Sequence, residues 1–161
     1  MRPWPKRVVC GVYAIAHRAS GVSYVGQSID IYGRWRGHIS AASKPPPIDR
    51  KVIADVLWAI GPDQFDFVIL ETSLPNFLDE IELKHIDRCG SYLNGLNVVR
   101  TKLEQASIYS KFGVPAAAVK IRADAEAKAF MSLAPHMSIE QADRLRDAFR
   151  YYSPKAAIDA D

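Results

Sequence analysis

Apolar side chains run almost unbroken through residues 8–16 and return at 22–26, and most are β-branched or aromatic. Between the two runs lies His17-Arg18-Ala19-Ser20-Gly21. A short glycine-bearing break between two β-rich segments predicts a hairpin. From Asp30 the period changes. Ile31, Trp35 and Ile39 recur every four residues, which predicts a helix to about residue 43 with Asp30 as its cap. Lys44-Pro45-Pro46-Pro47 stops it, because proline lacks the amide donor and clashes with the preceding turn. Residues 51–60 read as a second helix, ended by Gly61-Pro62. Residues 64–72 read as a third strand, with Phe65, Phe67, Ile69 and Glu71 alternating against Asp66, Val68 and Leu70. Asn76 is the expected cap of a third helix running to about residue 88, stopped by Gly90. The whole is a ββααβα module ending near Arg100.

Everything after Thr101 reads as helix. Residues 103–112 form one short segment, Gly113-Val114-Pro115 a turn, and residues 116–133 an alanine-rich helix. Ser138-Ile139-Glu140-Gln141 is a capping box opening a last helix to about Tyr152. The tail after Ser153 is expected to fray. Residues 108–121 vaguely resemble a helix-turn-helix, with Phe112-Gly113-Val114 as the turn and Val119 packing the second helix. Tyr109 stands where such a turn usually has a small residue, and Ala116-Ala117-Ala118 offers little to base edges. Packing is therefore the favoured role of this extension, with DNA targeting as the alternative.

Composition narrows the class. The 161 residues are 48% hydrophobic and 24% charged, which excludes a mainly disordered chain. No apolar run reaches the roughly 18–20 residues a membrane span needs, and Tyr13 and Ser20-Gly21 interrupt a signal-peptide reading. Cys10 and Cys89 are too few for a disulfide scaffold or a cysteine-built zinc site, so a cytoplasmic location is expected. The net charge is only +3, but residues 1–60 carry nine Lys/Arg against three acids. That excess suits a polyanion, or is simply a solvated surface.

Three sets of residues carry candidate chemistry. Gly11-Val12-Tyr13 and Tyr24-Val25-Gly26 each place a glycine and a tyrosine two apart, on one face of a strand. Such tyrosines are either packing or a pair of phenols beside a close backbone approach. Arg34 and His38 lie four apart on one helix face, as surface decoration or as a phosphate clamp with a proton carrier. Glu82 shares a stripe with Leu78 and Ile86, the face that should be buried. A buried carboxylate must be paired, for instance with Arg34, or bind a metal.

Taken together, these residues resemble the GIY-YIG nuclease domain over about residues 8–100. Gly11-Val12-Tyr13 and Tyr24-Val25-Gly26 match the two eponymous motifs with valine in place of isoleucine. Arg34 falls ten residues after Tyr24, where the family has its catalytic arginine, and His38 follows. Glu82-Leu83-Lys84-His85-Ile86 is similar to the family's metal-binding segment, and Asn94-Gly95-Leu96-Asn97 to its closing turn, with Asn97 the closer match. The resemblance implies an α+β fold: a small three-stranded antiparallel sheet flanked by helices over residues 1–100, followed by a helical C-terminal extension over 101–161.

It also implies a metal-dependent endonuclease that hydrolyses DNA phosphodiester bonds. Tyr13, Tyr24, Arg34, His38, Glu82 and Asn97 are then the catalytic residues. Glu82 would hold one Mg²⁺ ion, with Mn²⁺ able to substitute, since a single carboxylate suits a hard, hydrated cation. Tyr13 would act as base, either as a phenolate favoured by its site or through His38. Tyr24 would position phosphate or water, and Asn97 would hold the geometry. DNA contacts are expected from Arg18, Gln27 and Arg36, and in the extension from Lys120 and Arg122. A non-cutting nucleic-acid-binding module of the same fold, acting in a larger complex, is the alternative, and a purely structural domain is a third.

Overall fold

A computed structural model describes residues 3–45, 51–93, 95–98 and 102–149. Pro46, Pro47, Asn94, the expected boundary at Arg100, and the tail containing Tyr152 and Ser153 lie outside the described residues. Strands β1 (Gly11–His17) and β2 (Ser23–Ser28) form the expected hairpin, and β3 (Phe65–Thr72) pairs antiparallel on the other side of β1. The sheet order is β2-β1-β3, so β2 is an outer strand. β1 begins later than its apolar run because Val8, Val9 and Cys10 form a lead-in. There the Val9 carbonyl accepts from Ile31 and the Cys10 carbonyl from Ser73.

Alternation along the strands sorts side chains to two faces. One face presents Tyr13, Ile15, Phe65, Phe67 and Ile69 to α1 (Ile31–Ala42) and α2 (Val52–Ile60). The other presents Val12, Val25 and Leu70 to α3 (Leu78–Cys89), whose Leu78 and Ile86 close a second, smaller core. α1 starts as expected, with the Asp30 carboxylate accepting from the Gly33 amide at 3.0 Å. α3 ends as expected on Gly90, at φ 60°. Its start differs. Asn76 lies within a 3₁₀ turn, Pro75–Phe77, and no side chain caps the helix, because the proline sets a tight turn just ahead of it.

The extension forms α4 (Lys102–Phe112), α5 (Val114–Leu133) and α6 (Ile139–Ala148). The capping box forms in full between Ser138 and Gln141. Ala125, Ala129, Leu133, Leu145 and Phe149 join the same core as Tyr13, Ile53 and Leu57. α2, with eight of its nine residues buried, lies between the sheet and this extension. Val119, expected to pack α5 as in a helix-turn-helix, is instead 47% exposed; Ala117 and Ile121 face inward. Among the described residues, no helix is long and apolar enough to cross a membrane.

Candidate active site

The hairpin register sets Tyr13 opposite Gly26 and Tyr24 opposite Ile15, so the two phenols stand diagonally on one face, ring centroids 6.3 Å apart. A Cβ added at Gly26 would lie 2.8 Å from the Tyr13 Cζ and hydroxyl and 2.8 Å from Tyr24 Cε1. The glycine is what lets both rings occupy this face. Gly11 serves the other side, where a Cβ would meet the Glu71 carbonyl oxygen at 2.2 Å across β3.

α1 brings Arg34 and His38 over these rings. The Tyr13 hydroxyl and His38 Nε2 are 3.0 Å apart, and the Arg34 guanidinium is within hydrogen-bonding reach of both phenols. Burial, followed by the charges of Arg34 and Lys51, pushes His38 down to about 4. At neutral pH its imidazole is therefore uncharged and able to accept the Tyr13 proton. Burial, then the neighbouring Tyr24, raises Tyr13 well above its ordinary phenol range despite the opposing pull of Arg34. Burial likewise raises Tyr24. These surroundings favour the neutral phenol, whose hydroxyl lies against the uncharged His38 ring.

Glu82 reaches this group from the opposite face, around the outer edge of β2. Its half-buried carboxylate accepts from Gln27 Nε2 at 2.9 Å, and it acts on Tyr13, Tyr24 and Lys51 by charge. Among the described residues, no three His, Cys, Asp or Glu side chains converge on a metal position. One carboxylate fits a hydrated Mg²⁺ or Mn²⁺ ion that keeps most of its waters, and does not fit zinc. Asn97 acts from behind. Its buried amide donates to the Val25 carbonyl and accepts from the Val25 N–H, both at 2.9 Å, and so fixes the strand between Tyr24 and Gly26.

The residues expected to touch DNA fare differently. Gln27 donates to Asp79 (2.7 Å) and Glu82, so its amide serves the carboxylates. Arg18 ties the hairpin to β3 through Asp66 at 2.7 Å and the Asp63 and Phe65 carbonyls. Arg122 does not present itself to a phosphate. It pairs with Asp55 and Glu126, both fully buried, at the contact of α2 with α5. Lys120 is exposed and pairs with Asp124 at 3.0 Å, while Arg36 is exposed beside the Pro5 carbonyl. Lys51, just ahead of α2, was not singled out from the sequence. It is close enough to Arg34 for that charge, after burial, to lower its pKa. Only its place in a Lys/Arg-rich half of the chain hinted at it.

Known proteins share this fold. The GIY-YIG catalytic domain family matches residues 9–93. A mutant catalytic domain of the intron endonuclease I-TevI is similar in fold at 23% identity, with a TM-score of 0.50, covering 59% of this chain and 98% of that one. The catalytic domain of the homing endonuclease I-TevI has 25% identity and a TM-score of 0.49 over 56% of this chain and 98% of that one. No curated protein matches the chain in sequence.

Proposed function

Because this chain belongs to the GIY-YIG catalytic domain family, and is thereby an endonuclease acting on phosphodiester bonds, we propose that it hydrolyses DNA with the aid of one divalent ion at Glu82. The observation that carries this reading is the Tyr13–His38 hydrogen bond, set among Tyr24, Arg34 and Glu82. The water oxygen bonds to phosphorus as the phosphorus–oxygen bond to the leaving strand breaks. The water's proton passes to the Tyr13 oxygen as the phenol's own proton passes to His38, and the imidazolium, a strong acid at about 4, hands it on to the departing alkoxide oxygen. Tyr13 thus relays a proton without having to exist as a free phenolate, which its buried site disfavours. Arg34 supplies forked donors for the charge that develops on the phosphate oxygens. Tyr24 orients the phosphate with its hydroxyl. When bound, Mg²⁺ would add neutralising charge at the phosphate. Gln27 holds the Glu82 carboxylate in place for it, and Asn97 keeps the tyrosine strand in register.

A plasmid-cleavage assay tests this reading. Nicked or linear product should appear with Mg²⁺ or Mn²⁺ and vanish with a chelator. Glu82→Gln should lose at least about 100-fold in rate, the range seen when one electrostatic catalytic group is removed, while duplex binding measured by fluorescence anisotropy persists. Binding without cleavage in any ion would instead favour the non-cutting module.

A further inference from the structure

The N-terminal segment carries a second group of cations that the site does not use. Trp4 anchors it. The indole packs at 5.2 Å from the Trp35 ring and 5.1 Å from Phe67, and Trp35 in turn lies edge-on to Tyr13 at 5.9 Å. Arg36 Nη1 reaches the Pro5 carbonyl at 3.4 Å, and the Val9 carbonyl accepts from Ile31 at 2.8 Å. Pro3 and Pro5 fix φ on either side of the indole, so residues 3–9 follow a defined path over α1. Lys6, Arg7 and Arg36 are exposed, and among the described residues none of them forms an ion pair. Held beside α1 by the Trp4 packing, these three cations raise the local potential, and among the described residues no ion pair offsets it.

Resting on the nuclease reading, we propose that Lys6, Arg7 and Arg36 form an arm that binds the phosphate backbone of the DNA duplex beside the cut. Arg34 faces the phenols, whereas Arg36 lies about 200° further round the same helix. Arg36, and the Pro5 carbonyl it reaches, therefore lie on a different side of α1 from the phenols. The arm therefore meets phosphates of the flanking duplex and not the scissile phosphate itself. Its contacts go to phosphates only, so it contributes affinity that salt weakens and no sequence preference.

The test uses the full chain and a 30-base-pair duplex in Ca²⁺ buffer, with affinity read by fluorescence anisotropy from about 50 to 300 mM salt. Each phosphate contact adds about 0.9 to the slope of log affinity against log salt. Lys6→Ser/Arg7→Ser should therefore flatten the slope by nearly 2 and weaken binding at 0.1 M salt by roughly 60-fold. Lys84→Ser/Arg88→Ser, which removes the same charge from α3, should leave the slope within experimental error of wild type. An unchanged slope in the arm variant, or equal flattening in both, overturns the proposal while leaving the nuclease reading intact. A wild-type chain with no affinity for duplex overturns both.

Discussion

Gly26→Ala adds a single methyl group, and its consequences can be worked from the contacts around it. The new carbon would stand 2.8 Å from three atoms of the Tyr13 and Tyr24 rings. Carbon atoms rest at about 3.5–4.0 Å, so each ring must retreat by the better part of an ångström. Neither retreats freely. Tyr13 is fully buried, with Trp35 edge-on at 5.9 Å and His38 hydrogen-bonded at 3.0 Å. Overpacking of this kind costs about 1–3 kcal/mol, or roughly 2–12 °C in Tm for a chain of this size. Activity should suffer more. A misplacement of about 1 Å at reacting groups costs on the order of 100-fold, and here both phenols move together. Two other glycines calibrate the result. Gly11→Ala drives a carbon into the Glu71 backbone at 2.2 Å and should destabilise more than Gly26→Ala. Gly37→Ala meets nothing within 4 Å on exposed α1 and should stabilise by up to about 1 kcal/mol. Thermal unfolding and single-turnover cleavage of a labelled duplex read both effects. A Gly26→Ala protein with wild-type Tm and rate would refute the crowded-tyrosine geometry.

Arg34→Ala should lose at least ten times more activity than Arg36→Ala at saturating DNA, because only Arg34 faces the phenols; equal losses would mean bulk charge governs both. His38, depressed to about 4 from an ordinary value of 6.5, binds fewer protons folded than unfolded between those values. Its contribution is thus present above pH 6.5 and lost as pH falls toward 4, up to about 3 kcal/mol in all. Urea unfolding across this window should show a shallower pH dependence for His38→Gln than for wild type, and parallel profiles would contradict the depressed value. Deleting residues 102–161 strips Ala125, Ala129, Leu133, Leu145 and Phe149 from the main core, so the remaining fragment should aggregate or melt early. A soluble fragment with undiminished Tm would show that the extension does not support the catalytic module.

Much of this was legible in the chain because local rules had local outcomes. The alternation of Phe65, Phe67 and Ile69 against Asp66 and Val68 gave β3 and its buried face, but Glu71, expected on that same face, is turned to the α3 side by an irregularity in the β1–β3 pairing and meets Lys84 and His85 there. Asp30, Gly90 and Ser138 marked helix ends through interactions within a few residues. The stripe of Leu78, Glu82 and Ile86 put the carboxylate on a face expected to be buried; Glu82 is half-buried there, and the stripe could not tell that Gln27, 55 residues away, would hold it. The same blindness to distant partners explains Arg122. On the helix it looks like a cation for phosphate, and only the fold brings up Asp55, 67 residues earlier in the chain. Lys51 escaped notice because its neighbours Arg34 and Glu82 come from other elements. Asn76 misled for the opposite reason, since the immediately preceding Pro75 set a different turn.

The two hydrogen bonds that Asn97 makes to Val25 also bear on how this protein behaves in a crowd. β2 is an outer strand, and an outer strand ordinarily offers its free peptide groups to any extended chain that drifts past. Here one side-chain amide occupies both the donor and the acceptor of Val25, and the Leu96 amide takes the Ser23 carbonyl. A foreign strand would have to displace both before it could pair. The hairpin that carries the tyrosines can therefore lie at the rim of the sheet, within reach of a large polymer, without becoming a template for fibrils.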